Sequence, residues 1–133
     1  MAAVSNAARY RTVAVSTSSP GEVLIMLYEG LLRFLNDARE AMKTGNRARA
    51  GERISRAHAI LEELTVALNP KHAPELCSNL EGLYSFCMNH LIEANAHQDP
   101  VRIGNVIRFL SPIAEAWRTV VRKKPAPAAP QAR

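Results

Sequence analysis

The chain has 133 residues, with 17 basic and 12 acidic side chains and a formal net charge of +5. That length suits one domain around a single core, and no apolar run approaches the roughly 18 residues of a membrane span. Residues 1–20 lack the charged and then apolar order of a secretory signal, so a cytoplasmic protein without membrane insertion is expected. Arg122, Lys123, Lys124 and Arg133 account for most of the excess charge, which leaves the body of the chain nearly neutral. Arg39, Lys43, Arg47, Arg49, Arg53 and Arg56 form the one local basic patch. It has no interleaved aromatic residues on which bases could stack, which favours a solvated face over a nucleic-acid site.

Residues 1–18 are small and polar apart from Tyr10, Val13 and Val15, and they carry no helical periodicity long enough to fold alone. They read as a mobile N-terminal segment, with one short helix near residues 6–11. Ser19, Pro20 and Glu22 then signal a helix start: a hydroxyl cap, a proline in the first turn and a carboxylate three residues after the cap. The first helix is predicted from Pro20 to Lys43. Stepping about 100° per residue, Leu24, Leu27, Leu31, Phe34 and Ala38 make one apolar stripe, and Ile25, Tyr28, Leu32 and Leu35 make a second beside it. Together they cover roughly 200° of the helical wheel, where a surface helix usually shows little more than about 100°. Two faces need two partners. Either the second stripe also meets the chain's own helices, or part of it serves another protein.

Thr44, Gly45 and Asn46 close this helix and open the next, glycine supplying a left-handed position and asparagine the cap. Ala50, Ile54, Ala57, Leu61, Leu64 and Leu68 then form a narrow seam with one buried face. Two prolines mark a turn over 69–74. A third helix follows from about Glu75 to Ala96, with Leu76, Leu80, Leu83, Cys87, Leu91 and Ala94 inward, and Tyr84, Met88 and Ile92 widening its apolar face. Asp99 and Pro100 start a fourth helix to about Arg122, carried by Ile103, Val106, Leu110, Ile113, Trp117 and Val121. Pro112 lies inside it and removes one backbone hydrogen bond. Because apolar periodicity resumes on both sides, a kinked but continuous helix is expected. Residues 123–133, rich in proline, alanine and basic side chains, read as a disordered tail. The fold class is therefore all-α: an antiparallel up-and-down four-helix bundle over residues 19–122.

The chemistry is thin. No glutamate is followed three places later by histidine, as a di-metal bundle requires. Cys77 and Cys87, ten residues apart on one helix, would lie roughly 15 Å apart, too far for a disulfide, and no CxxC or paired-histidine spacing accompanies them. No catalytic residue, metal site or cofactor site is assigned, and an enzyme is not expected. A phosphotransfer signalling bundle working through His58 or His90, or a basic RNA-binding adaptor, remain as alternatives. The broad apolar surface on the first and third helices points to a binding module, since bundle grooves suit an amphipathic helix from a partner.

The run Tyr10, Val15, Thr17, Pro20, Gly21, Glu22, followed by Met26-Leu27-Tyr28-Glu29-Gly30, resembles the N-terminal signature of the flagellar secretion chaperone family, FliS. Ile60-Leu61 with Glu63-Leu64, Leu83-Tyr84, the stretch from Leu91 to Asn95, and Ala116-Trp117 agree with it in order and spacing. Asn89 and His90 depart from it, standing where members often carry a basic pair. The resemblance implies a cytoplasmic bundle that binds the C-terminal segment of flagellin, prevents premature polymerisation and delivers it to the flagellar type III export gate. It also implies a regulatory protein as a further partner and a monomer or weak dimer. Flagellin-binding residues are expected at Tyr10, Ile25, Tyr28, Leu32, Leu35, Leu80, Tyr84, Met88 and Leu91, with Tyr10, Val13 and Val15 covering the groove when no ligand is bound.

Overall fold

A computed structural model describes residues 19–123, which form four helices: α1 (Pro20–Lys43), α2 (Arg47–Val66), α3 (Pro74–His97) and α4 (Pro100–Lys123). The assignments at Tyr10, Val13 and Val15, the short helix near residues 6–11 and the tail beyond Lys123 lie outside the described residues. Lys123 itself is still helical, one residue into the stretch read as tail.

Helix ends follow from local chemistry. Ser19 is extended, and its hydroxyl accepts the Glu22 N–H at 3.2 Å, with Pro20 in the first turn where its missing N–H costs nothing. Gly45 adopts φ 77° after α1, and the Asn46 side chain accepts the Arg49 N–H at 3.1 Å to begin α2. Asp99 accepts the Val101 N–H at 3.0 Å and opens α4. α4 continues through Pro112, and the Ser111 hydroxyl donates to the Ile107 carbonyl at 2.7 Å one turn back. The two ends of α3 differ from the rest: Ala73 and Gln98, neither of them glycine, both sit in the left-handed region, with φ 53° and 50°.

The helices close a ring in which each packs against its two sequence neighbours and α1 meets α4. α1 is the shared wall. Its backbone approaches α2 and α4 more closely along its length than α3 approaches either. Close approach is marked by small residues: a Cβ on Gly21 would lie 3.0 Å from Val121 Cγ2, and one on Gly104 would lie 3.3 Å from Arg39 Nη1. The Arg118–Glu29 ion pair at 3.5 Å also joins α4 to α1.

The core runs through Tyr28, Leu31, Leu35 and Ala38 of α1, Ile54, Ala57, Ile60, Leu61 and Leu64 of α2, Leu80, Tyr84, Cys87, Leu91 and Ala94 of α3, and Ile103, Val106, Leu110 and Ala114 of α4. Across its middle the hydroxyls of Tyr28 and Tyr84 meet at 2.5 Å, joining α1 to α3, which face each other diagonally. Burial raises the pKa of both phenols, and the partner's hydrogen bond raises that of Tyr84 further. The Trp117 indole N–H lies near enough to the Tyr28 oxygen to lower its pKa somewhat, yet outside ordinary hydrogen-bond geometry.

Each hydroxyl satisfies the other, so removing one strands its partner, whereas removing both leaves two shape-matched rings. Tyr28→Phe or Tyr84→Phe alone should lower the unfolding free energy by about 1–3 kcal/mol, and the double variant should recover most of that loss. Urea unfolding of the three variants measures this. A double variant as unstable as the sum of the singles would show that the pair is not mutually satisfying.

Candidate functional site

Placing the sequence-assigned residues on the bundle separates them into three sets. Tyr28, Leu35, Tyr84 and Leu91 are fully or almost fully enclosed, and Leu80 is buried beside them. Their side chains are interior packing and offer no surface to a partner in this conformation. The second stripe of α1 is thus largely met by the chain itself, because α1 has two close helical neighbours and needs an apolar arc for each. Leu32 and Met88 are half-buried and pack on the edge of the core. Ile25, buried, lies with Met26, Glu22, Glu29, Val121 and Arg122 along an open cleft of about 390 Å³ between the start of α1 and the end of α4.

The larger exposed apolar side chains sit elsewhere. Leu76, expected to point inward, is 48% exposed on α3, and Phe86 is equally exposed. Ile92 on α3 and Val120 on α4 are each 56% exposed, and Phe109 on α4 is 39% exposed. Phe86 and Phe109 pack across the α3–α4 groove with ring centroids 5.7 Å apart. His90 stacks on Phe86 at 5.2 Å with the planes 19° apart, its Nε2 buried without a hydrogen-bond partner. One turn beyond, Arg102 pairs with Glu93 at 3.2 Å and with Asp99 at 3.2 Å, closing that end of the groove with charge.

Phe86, Phe109 and Val120 were missed because helical spacing alone puts them outside the main stripes. The signal that could have found them is the recurrence of large apolar residues on the outer faces of α3 and α4, where exposed positions are normally polar.

The remaining chemistry is structural. His58 is half-buried with Nδ1 3.7 Å from Glu62 on its own helix. Among the described residues no group of three or more histidine, cysteine or acidic side chains could hold a metal ion, and no helix is long and apolar enough to cross a membrane. Much of the basic patch is internally paired: Arg53 and Arg56 meet Glu52 and flank the Phe34 ring at 5.6 and 5.9 Å, and Arg49 lies 3.9 Å from Asp37. Cys77 and Cys87 are free thiols. Burial pushes the Cys87 thiol up to about 11, while Cys77 is half-buried and donates to the Asn69 carbonyl at 3.3 Å.

Fold and surface together define a class: an all-helical bundle whose open groove is lined by aromatic and aliphatic side chains rather than by reactive ones. Residues 2–124 match the family described as "Flagellar protein FliS". The chain is 33% identical over 111 residues to the flagellar secretion chaperone FliS of Salmonella typhimurium, covering 83% of this chain and 82% of that protein. It is 32% identical to the one from Vibrio cholerae, covering 81% and 82%, and 28% identical to the one from Bacillus subtilis, covering 86% and 85%. A crystal structure of a flagellar chaperone from bacteria superposes with a TM-score of 0.74 at 22% identity, covering 90% of this chain and 98% of that one, and it supports the fold. The chain belongs to the FliS family of flagellar secretion chaperones.

The buried acids set the alkaline limit of the bundle. Cys87, Tyr28 and Tyr84 all have folded pKa values above their ordinary ones, so the neutral forms are held by the fold and the unfolded chain ionises first. Their contribution is intact below about pH 9, the ordinary thiol value, and is lost as pH rises beyond it. The urea midpoint should therefore fall from pH 9 upward. At pH 8 a thiol reagent should modify Cys77 readily and Cys87 only at the rate of unfolding; rapid loss of both thiols would contradict the burial of Cys87.

Proposed function

We propose that this chaperone binds the C-terminal segment of flagellin in its apolar grooves in the cytoplasm, blocks premature polymerisation and presents the cargo to the flagellar type III export apparatus. The observation that carries this reading is the exposed Phe86–Phe109 ring contact over the α3–α4 groove, with Leu76 and Val120 exposed further along the same two helices. Exposed aromatic residues in a FliS-family bundle need an apolar cover, and a filament-forming amphipathic segment offers one while its own apolar face is masked. We assign Ile25, Leu32 and Met88, which lie at the edge of the core, to the binding surface, and Tyr10 to it on the strength of the sequence resemblance alone. Tyr28, Leu35, Leu80, Tyr84 and Leu91 support that surface from beneath. Tyr10, Val13 and Val15 act as the groove cover that flagellin displaces.

Calorimetry with a peptide spanning the C-terminal segment of a flagellin from the same cell tests the reading. Replacing Phe86 and Phe109 together by Ser should weaken binding at least about tenfold, or 1.4 kcal/mol, while the chain stays folded with a loss of about 1–3 kcal/mol of stability, since the two half-covered rings pack on each other. Apolar docking should also tolerate salt, whereas phosphate contacts would lose about a thousandfold or more between 50 and 200 mM. Unaltered affinity in the double variant would remove the α3–α4 groove from the binding surface.

A further inference from the structure

His90 lies on α3 between the two places where that helix is tied to α4, the Phe86–Phe109 ring contact on one side and the Glu93–Arg102 ion pair on the other. Its imidazole stacks on the Phe86 ring, with centroids 5.2 Å apart and the planes 19° from parallel. Its Nε2 is buried without a hydrogen-bond partner. Folded proteins leave few buried polar atoms unpaired, and each one lowers stability. An apolar side chain would fill the same half-buried site without that penalty, so packing alone does not favour histidine here.

What the ring contributes is a flat face. Side chains on a helix lean toward its N-terminus, so residue 90 leans onto residue 86, one turn back. An aromatic side chain on a helix has two open χ1 wells, and Phe86, half-exposed, is not enclosed by the core. Phe109 meets the Phe86 ring at a tilt of 60°, and His90 covers one of its faces. The His90 contact lies wholly within α3, so it does not depend on how closely α4 approaches. Together the two contacts fix the plane of a side chain that would otherwise be free to turn.

We propose that His90 is a positioning residue for cargo: its imidazole holds the Phe86 ring in the orientation that meets Phe109, so that the aromatic face is set before the flagellin segment arrives. His90 acts through Phe86 and does not itself touch the cargo. This inference rests on the flagellin reading above and names what organises its contact surface. A side chain already held in its bound orientation loses less freedom on binding, a saving of about two- to tenfold in affinity.

Calorimetry of the full chain with the flagellin C-terminal peptide, each variant held well below its melting temperature, tests the proposal. His90→Ala should weaken binding about three- to tenfold, because the chain stays folded while Phe86 gains freedom. His90→Phe restores a flat ring and removes the stranded nitrogen, so it should melt no lower than the natural chain and bind within about twofold of it. In a Phe86→Leu background, His90→Ala should change affinity by less than about twofold, since no ring is left to hold. A merely structural role, or a direct contact with the peptide, would carry the full His90→Ala loss into that background, and either result overturns the proposal. A His90→Ala chain that binds as well as the natural one overturns it too, as does a His90→Phe chain that binds as weakly as His90→Ala. If the natural chain does not bind the peptide, the flagellin reading fails and takes this inference with it.

Discussion

Two phenol hydroxyls set the dimensions of the bundle. Tyr28 and Tyr84 come from helices on opposite corners, and their hydrogen bond spans a core in which, among the described residues, the other buried side chains are apolar. Alanine at positions 38, 57, 94 and 114 and Cys87 fill in around the large side chains. A directional bond at the centre fixes how α1 and α3 face each other, which apolar packing alone leaves degenerate. α3, on the far side of this bond from α1, is also the helix with the looser approach to its neighbours.

Much of this was readable from the chain. Ser19-Pro20, Thr44-Gly45-Asn46 and Asp99-Pro100 mark helix ends by hydrogen-bond and dihedral requirements that are local, and those ends fall where expected. The seam of α2 is likewise local in origin, though Ile60 joins it, buried with its Cδ1 in ordinary contact range of the Cβ position at Gly30 of α1. What a helical wheel cannot supply is the distance to the neighbouring helix. Leu76 and Tyr84 show the effect in opposite senses: the wheel sends Leu76 inward and Tyr84 sideways, whereas Leu76 lies half-exposed near the start of α3 and Tyr84 reaches the centre. The same ignorance made the wide arc of α1 look like surplus surface, when two close neighbours use most of it.

The α3–α4 groove is bounded by paired charges. Ion pairs close the groove at Glu93 and Arg102, and the basic residues near Phe34 are occupied with Glu52 and Asp37. Between these polar regions Phe86 and Phe109 present exposed aromatic surface. In a member of the FliS family, such a surface asks for an apolar partner, and the neutral body of the chain gives a polyanion little to hold.

The two left-handed residues at the ends of α3 carry a last consequence. Ala73 and Gln98 each hold a backbone conformation that side-chain-bearing residues resist, at about 1 kcal/mol or more apiece, and both bracket the helix that is least tightly held by its neighbours. Of the four walls, α3 therefore contributes least to holding the ring together while its ends are the hardest to build. That weakly held wall is the one that carries Leu76, Phe86 and Ile92 on its exposed faces.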